Sequence, residues 1–243
     1  MRTIAVIQAR WSSTRLPGKV LKEIEGKTML GRVISRVQRA RKINGLVVAT
    51  TVNSNDYAVV KECERLGAAT FRGSEKDVLD RFYQAVQTYH PDFVVRITAD
   101  CPLIDPELVD HVIQEFLKKR LDYASNTLVR TFPRGLDTEV MTVEALVRAW
   151  KEAKLPYQRS HVTPYLYENP HSFRLQSIYT GKNYSRYRWT VDTQADLDFV
   201  RAVYKRLMPK ENFGWREALQ VVTKDPALAA LNSETRQKTL KEG

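Results

Sequence analysis

Short apolar runs alternate with amphipathic stretches along the first half of the chain. Residues 3–9 (TIAVIQA) read as a mostly apolar strand, and residues 29–40 place Met29, Leu30, Val33, Ile34 and Val37 on one helical face. Residues 46–51 predict a second strand. The helix after it, over 55–66, stops at Gly67, a residue suited to a left-handed cap. A third strand follows at 69–72, then a helix over 78–89 with Val78, Phe82, Ala85 and Val86 inward. Residues 93–99 (FVVRITA) read as a buried strand, after which Asp105-Pro106-Glu107 opens a helix with Asp as cap and Pro in the first turn. This rhythm predicts an α/β fold, a mostly parallel sheet flanked by helices on both faces with right-handed crossovers.

The second half is less regular. Thr142 is placed to cap a helix running to Ala153, which Pro156 ends. Residues 156–170 are aromatic and polar, and 173–179 and 187–191 have the look of strands. Thr193-Gln194-Ala195-Asp196 is a capping-box pattern opening a helix that carries Leu197, Val200 and Val203. Two helical segments, 215–222 and 226–231, precede a charged tail expected to fray. With no Ser- or Gly-rich linker, one domain is expected over 1–243, with 123–190 folding out as an acceptor-binding and dimer subregion.

Composition narrows the classes. Hydrophobic residues at 43% and charged residues at 28% describe an ordinary globular chain. No signal-peptide pattern or membrane-length apolar window is present, so a cytoplasmic protein without a membrane partner is expected. Cys63 and Cys101 are far apart and offer neither a disulfide framework nor zinc spacing. The net charge of +11 suggests a polyanionic partner, nucleic acid or something phosphorylated. No helix-turn-helix, zinc-finger, RRM or KH signature supports the first, which leaves a nucleic-acid module as a distant alternative.

The chemistry gathers where the first strand ends, in Gln8-Ala9-Arg10-Trp11-Ser12-Ser13-Thr14-Arg15-Leu16-Pro17-Gly18-Lys19. Three cations sit among small hydroxylated residues at the carboxyl end of a strand, where open α/β sheets bind ligands. Such a loop can cradle phosphate oxygens with backbone N–H groups, Arg forks and a Lys point charge. It is neither a Walker A loop nor GxGxxG, and an ordinary basic surface loop is the competing reading. Asp100 and Asp192 each end an apolar strand. Mg²⁺ favours one or two carboxylates plus substrate phosphate oxygens, so this pair can hold one ion; as isolated patterns, such aspartates are usually turn formers or caps.

The segment IQARWSSTRLPGKVL resembles the N-terminal signature of the cytidylyltransferase family that includes CMP-KDO synthetases, CMP-acylneuraminate synthetases and spore-coat polysaccharide biosynthesis proteins. The resemblance continues through VVATT, RGSEKDVLDRF, RITADCPLID, FPRGLDTEV, RSHVTPY and RWTVDTQADL, in the family's order over residues 2–199, and points to the spore-coat branch. It implies a Rossmann-like, nucleotide-diphospho-sugar transferase-like fold and an enzyme that moves CMP from CTP to a sugar-like acceptor. It further implies that Arg10, Arg15 and Lys19 hold the triphosphate, that Gln8, Ala9 and Ser13 border the nucleotide, and that Asp100 and Asp192 bind Mg²⁺. Arg15, Lys19 and Asp100 are then the catalytic residues. Gly73 and Arg81 flank the nucleotide site, in a segment that otherwise reads as a turn with Ser74 as helix cap. A homodimer is also implied. Ala99 stands where the family usually has Gly before the first metal aspartate.

Two further motifs are candidates for the acceptor. Arg134, Asp137 and Glu139 surround a turn, and Arg159 and His161 precede another helix. Arg134, Arg159 and His161 suit a carboxylate, phosphate or phosphonate; internal salt bridges and helix caps are the alternative for both motifs. Ser160 stands where relatives commonly have Glu, which leaves the acceptor open. A glycosyltransferase-like enzyme that consumes a nucleotide-sugar is the principal rival, although three clustered cations favour an incoming triphosphate.

Overall fold

The strand at Thr3–Gln8 (β1) is apolar because both of its faces are covered. Ile4 and Val6 point into one apolar layer, and Ala5 and Ile7 into another. The computed structural model describes residues 1–240. After β1, a small antiparallel hairpin pairs β2 (Glu23–Ile24) with β3 (Lys27–Thr28). The chain continues through α1 (Met29–Val37), β4 (Gly45–Thr51), α2 (Tyr57–Arg65), β5 (Ala69–Gly73), α3 (Val78–Tyr89), β6 (Phe93–Thr98) and α4 (Pro106–Lys118). Then come β7 (Tyr123–Ser125), β8 (Glu139–Thr142), α5 (Val143–Glu152), α6 (Pro156–His161), α7 (Pro164–Glu168), β9 (Leu175–Ser177), α8 (Gln194–Leu207), α9 (Trp215–Lys224) and α10 (Pro226–Ala230).

Seven of these strands form one sheet in the order β5-β4-β1-β6-β8-β7-β9. β5, β4, β1 and β6 run parallel, β8 is antiparallel to both β6 and β7, and β9 returns parallel to β7. The expected Rossmann-like α/β sheet is therefore present. One layer packs α1, α4 and α8 against the sheet through Leu30, Val33, Val109, Phe116 and Phe199. The other covers the opposite face with α3, α5 and α7 through Phe82, Leu146 and Leu166. Among the described residues no helix is long and apolar enough to cross a membrane.

The first half follows the periodicity closely. Gly67 has φ +65° after α2, and Asp105 caps α4 by accepting from the Leu108 N–H at 2.8 Å. Thr142 and Thr193 cap α5 and α8 as expected, the second in a capping box with Asp196.

Four local expectations change. The cap of α3 is Asp77, which accepts from the Asp80 N–H; the Ser74 hydroxyl accepts from the Asp77 N–H, ahead of the helix. Pro156 also opens α6, because a residue without an N–H suits a first helical turn. The strand expected at 173–179 is paired only over Leu175–Ser177. In residues 187–191, Trp189, Thr190 and Val191 are all buried, but their backbone partners are loops. Trp189 N–H donates to the Arg134 carbonyl and Val191 N–H to the Asp100 carbonyl, leaving a single bridge between Arg134 and Arg188.

Candidate active site

Sheet order decides what meets at the site. The chain leaves β1 for β4 and β5 on one side, then returns to β6 on the other, so β1 and β6 are neighbours whose connections diverge. A crevice opens at the carboxyl ends of such strands. Gln8 is in register with Thr98, and the Ala99 N–H donates to the Gln8 carbonyl at 2.9 Å. The loops after β1 and β6 therefore start side by side.

The first loop is folded back on itself. Gly18 N–H donates to the Trp11 carbonyl at 3.0 Å, and Gly18 has φ +65°, a conformation other residues reach only with strain. A single 3₁₀ turn, Lys19–Leu21, follows and turns the Lys19 side chain inward, where 11% of it is exposed. Its ammonium donates to Asp100 Oδ2 at 2.9 Å, Asp192 Oδ1 at 2.8 Å and the Val191 carbonyl at 2.8 Å. Burial opposes the ammonium charge, but Asp100 and Asp192 outweigh it and raise the Lys19 pKa above the usual lysine value.

The third part of this arrangement is the irregular segment before α8. The Val191 N–H···O=C bond to Asp100, 2.8 Å long, ties the two aspartates together through the backbone. Asp192 Oδ2 accepts from Arg15 at 2.9 Å and Arg188 at 2.6 Å. Burial favours protonation of Asp192, yet Lys19, Arg15 and Arg188 push its pKa down to about 2. Arg188 is fixed in turn by the fully buried Asp196, which also accepts from the Asp192 and Thr193 N–H groups.

Lys19, Arg15, Asp100 and Asp192 are thus brought into one cluster. Gln8 lies beneath it, its side-chain oxygen accepting from Arg96 at 3.0 Å, while Ala9 is buried. Arg10 is exposed and Ser13 half-buried on the same loop. Glu75 accepts from Ser12 at 3.0 Å and joins the loop to the segment after β5. Arg81 lies below, wholly buried, with Nη1 donating to the Ser74 carbonyl and Nε and Nη2 unpartnered. Burial and the nearby Arg10 charge push its pKa down to about 10. Gly73 makes room for it, since a Cβ there would stand 3.0 Å from Arg81 Cγ.

The acceptor candidates divide. Glu139 is buried and bonded to Arg96, to the Tyr123 hydroxyl at 2.6 Å and to the Thr163 hydroxyl at 2.6 Å. Asp137 accepts a forked pair from Arg130 at 2.6 and 2.8 Å. Arg159 spans from Asp77 at the start of α3 to the Trp150 carbonyl. These three have the internal salt bridges of the alternative reading. Arg134 instead has no guanidinium partner among the described residues; burial and Arg130 lower its pKa. It lines a cavity of about 500 Å³ with Arg186, Arg188 and Trp189. His161 Nε2 donates to the Leu240 carbonyl at 2.9 Å, and burial lowers its pKa.

The tail, expected to fray, runs across this face. Asn232 donates to the Arg188 carbonyl and to Asp196, each at 2.9 Å, and the Arg236 carbonyl accepts from Arg15 at 3.1 Å. Sequence reading missed Arg188, Asp196, Asn232 and the Val191 carbonyl. Arg188, Asp192 and Asp196 are spaced by four, one cation followed by two acids, a local signal that was available; the other two have none.

Comparison with known proteins gives the family and the fold. A family model described as Cytidylyltransferase matches residues 4–224. The spore coat polysaccharide biosynthesis protein SpsF of Bacillus subtilis is 32% identical over 231 residues, covering 92% of this chain and 95% of that one. The structure of a cytidylyltransferase from Leptospira borgpetersenii superposes with a TM-score of 0.91 at 32% identity, covering 98% of this chain and 99% of the other. CMP:2-keto-3-deoxy-manno-octonic acid synthetase complexed with CTP shares the fold, with a TM-score of 0.66 at 19% identity over 86% of this chain and 100% of that one.

Proposed function

The chain belongs to the cytidylyltransferase family, and from that premise we propose that it moves CMP from CTP to a sugar-like acceptor, releasing pyrophosphate, with Mg²⁺ as cofactor. The observation that carries this reading is the convergence of Asp100, Asp192 and the Val191 carbonyl on one cation, the Lys19 ammonium, beside Arg15. Among the described residues no cluster of three or more His, Cys, Asp or Glu competes for a metal. Two carboxylates and a carbonyl are hard oxygen donors of the kind Mg²⁺ takes when phosphate and water complete its shell. Asp100 and Asp192 would hold the ion, which when bound polarises the α-phosphate and screens the incoming oxygen.

The chain's own residues do the rest by position and charge. Arg15 and Lys19, with Arg10 at the rim, neutralise the β- and γ-phosphates. An acceptor oxygen forms a bond to the α-phosphorus as the bond to the oxygen bridging to the β-phosphate breaks in line, and pyrophosphate leaves. No covalent enzyme intermediate is required. Gln8, Ala9, Ser13, Gly73 and Arg81 border the nucleoside. Arg134 and His161 face the acceptor, a sugar acid, sugar phosphate or phosphonate. Similarity to a spore coat polysaccharide biosynthesis protein supports a role in surface polysaccharide or glycoconjugate biosynthesis. A homodimer and a cytoplasmic setting belong to the same proposal.

Calorimetric titration with CTP, UTP, ATP and GTP in Mg²⁺ tests the nucleotide half-reaction without knowledge of the acceptor. CTP is expected to bind most tightly in the wild type and more weakly in Asp100→Ala. Preference for another nucleotide would change the donor. Failure of all four to bind would return the rival that consumes a nucleotide-sugar, which pyrophosphate release separates from this reaction.

A further inference from the structure

The Lys19 ammonium sits in an oxygen cradle of three acceptors, Asp100 Oδ2, Asp192 Oδ1 and the Val191 carbonyl, at 2.8–2.9 Å. Those are hard oxygen donors of the kind that would hold a bound Mg²⁺. Ammonium and metal cannot occupy one cradle. Nor can the ammonium neutralise a triphosphate while it is spent on two aspartates. The roles assigned to Lys19 and to the aspartates therefore cannot be filled at the same moment from this one arrangement.

We propose that Lys19 is a placeholder cation. It fills the metal cradle when no nucleotide is bound, and it swings onto the triphosphate as the nucleotide arrives, vacating the cradle for the metal. This inference rests on the nucleotidyltransferase reading. The surroundings suit an exchange of cations. The Val191–Asp100 backbone bond and the Arg188 grip on Asp192 Oδ2 do not involve Lys19, so the cradle keeps its shape when the ammonium leaves. Without any cation, Asp100 and Asp192 would face each other as like charges. The four-carbon lysine stem gives the ammonium reach that a short side chain lacks. Metal and nucleotide consequently bind with positive coupling, the metal finding its oxygens free only when a triphosphate holds Lys19.

The test is Mn²⁺ binding followed by electron paramagnetic resonance, first without nucleotide, on the wild type, Lys19→Met, Arg15→Gln and the double variant Lys19→Met/Asp100→Asn. Arg15→Gln removes a positive charge next to Asp192 without emptying the cradle. Lys19→Met is expected to bind Mn²⁺ at least about tenfold more tightly than the wild type, a typical size for coupling between sites. Arg15→Gln should gain clearly less, and the double variant should lose the gain. Adding CTP should tighten Mn²⁺ on the wild type far more than on Lys19→Met. Equal gains for Lys19→Met and Arg15→Gln would reduce the effect to net charge and overturn the proposal. Where calorimetry shows that CTP binds, so would a wild type that binds Mn²⁺ as tightly without CTP as with it, a comparison that needs no variant to fold. If CTP does not bind at all, the proposed function fails, while the nucleotide-free comparison still decides the placeholder.

Discussion

Asp192 accepts from three cations, with Lys19 on one oxygen and Arg15 and Arg188 on the other. Removing one of them leaves the carboxylate paired, which separates catalytic loss from loss of fold. Lys19→Ala and Asp100→Ala are each expected to lower the rate of pyrophosphate release by at least about a hundredfold, the scale seen when one preorganised electrostatic contact is removed. Melting curves of the same variants should shift far less. An unchanged rate in both would reject this assignment. The two thiols make a different residue-scale prediction. Burial pushes the Cys63 thiol up to about 12 and raises Cys101 well above its ordinary value. Since the thiolate is the reactive form, a disulfide reagent at pH 8 should label neither in the native protein and both in denaturant. A thiol that reacts within seconds in the native state would contradict the burial of that cysteine.

At the scale of elements, the site depends on segments that are not regular structure. Residues 134–136 and 187–191 lie so close that a Cβ on Gly135 would stand 2.6 Å from Thr190 N and from the Trp189 carbonyl carbon. Gly135 also has φ +108°. Gly135→Ala is therefore expected to cost about 2–4 kcal/mol in chemical denaturation, combining backbone strain with a clash. Because the same approach supports the Trp189–Arg134 and Val191–Asp100 bonds, CTP affinity should fall with it. A neutral Gly135→Ala would mean that the two segments can separate freely. The regular elements were readable in advance because their signals are local: a 3.6-residue stripe in α1 and α3, an apolar run in β1 and β6, a cap and a proline at α4. The segment 187–191 carried a strand's alternation without a strand's neighbour. Alternation reports burial, and the partner has to come from elsewhere in the chain.

Across the whole molecule, the sheet order β5-β4-β1-β6 places two loops far apart in sequence on one crevice, and the chain beyond α10 closes back over it. Asn232 links that closing segment to the site, donating to the buried Asp196 that fixes Arg188 and the Asp192 backbone. Asn232→Ala should lower stability by about 1–3 kcal/mol, the cost of withdrawing a donor from a buried charged acceptor. It should also weaken CTP binding through Arg188 and Asp192, with thermal melts and calorimetry as the readouts. A variant with wild-type stability and affinity would mean that the closing segment does not support the site.

The chain by itself determined the alternating α/β elements, the cationic character of residues 8–19 and the family, because each is written in contiguous residues whose spacing or chemistry is local. It also supplied the aspartates as expected strand-end residues, for which a turn or cap was the stronger reading from pattern alone. Only the tertiary structure decided that Asp100 and Asp192 converge on Lys19, since that depends on β6 lying beside β1 and on Val191 bonding to Asp100. The tertiary structure likewise spent Glu139, Asp137 and Arg159 on internal partners and, among the described residues, left the Arg134 guanidinium without one. A charged residue's partner is set by which distant segments pack together, and no spacing along the chain encodes that.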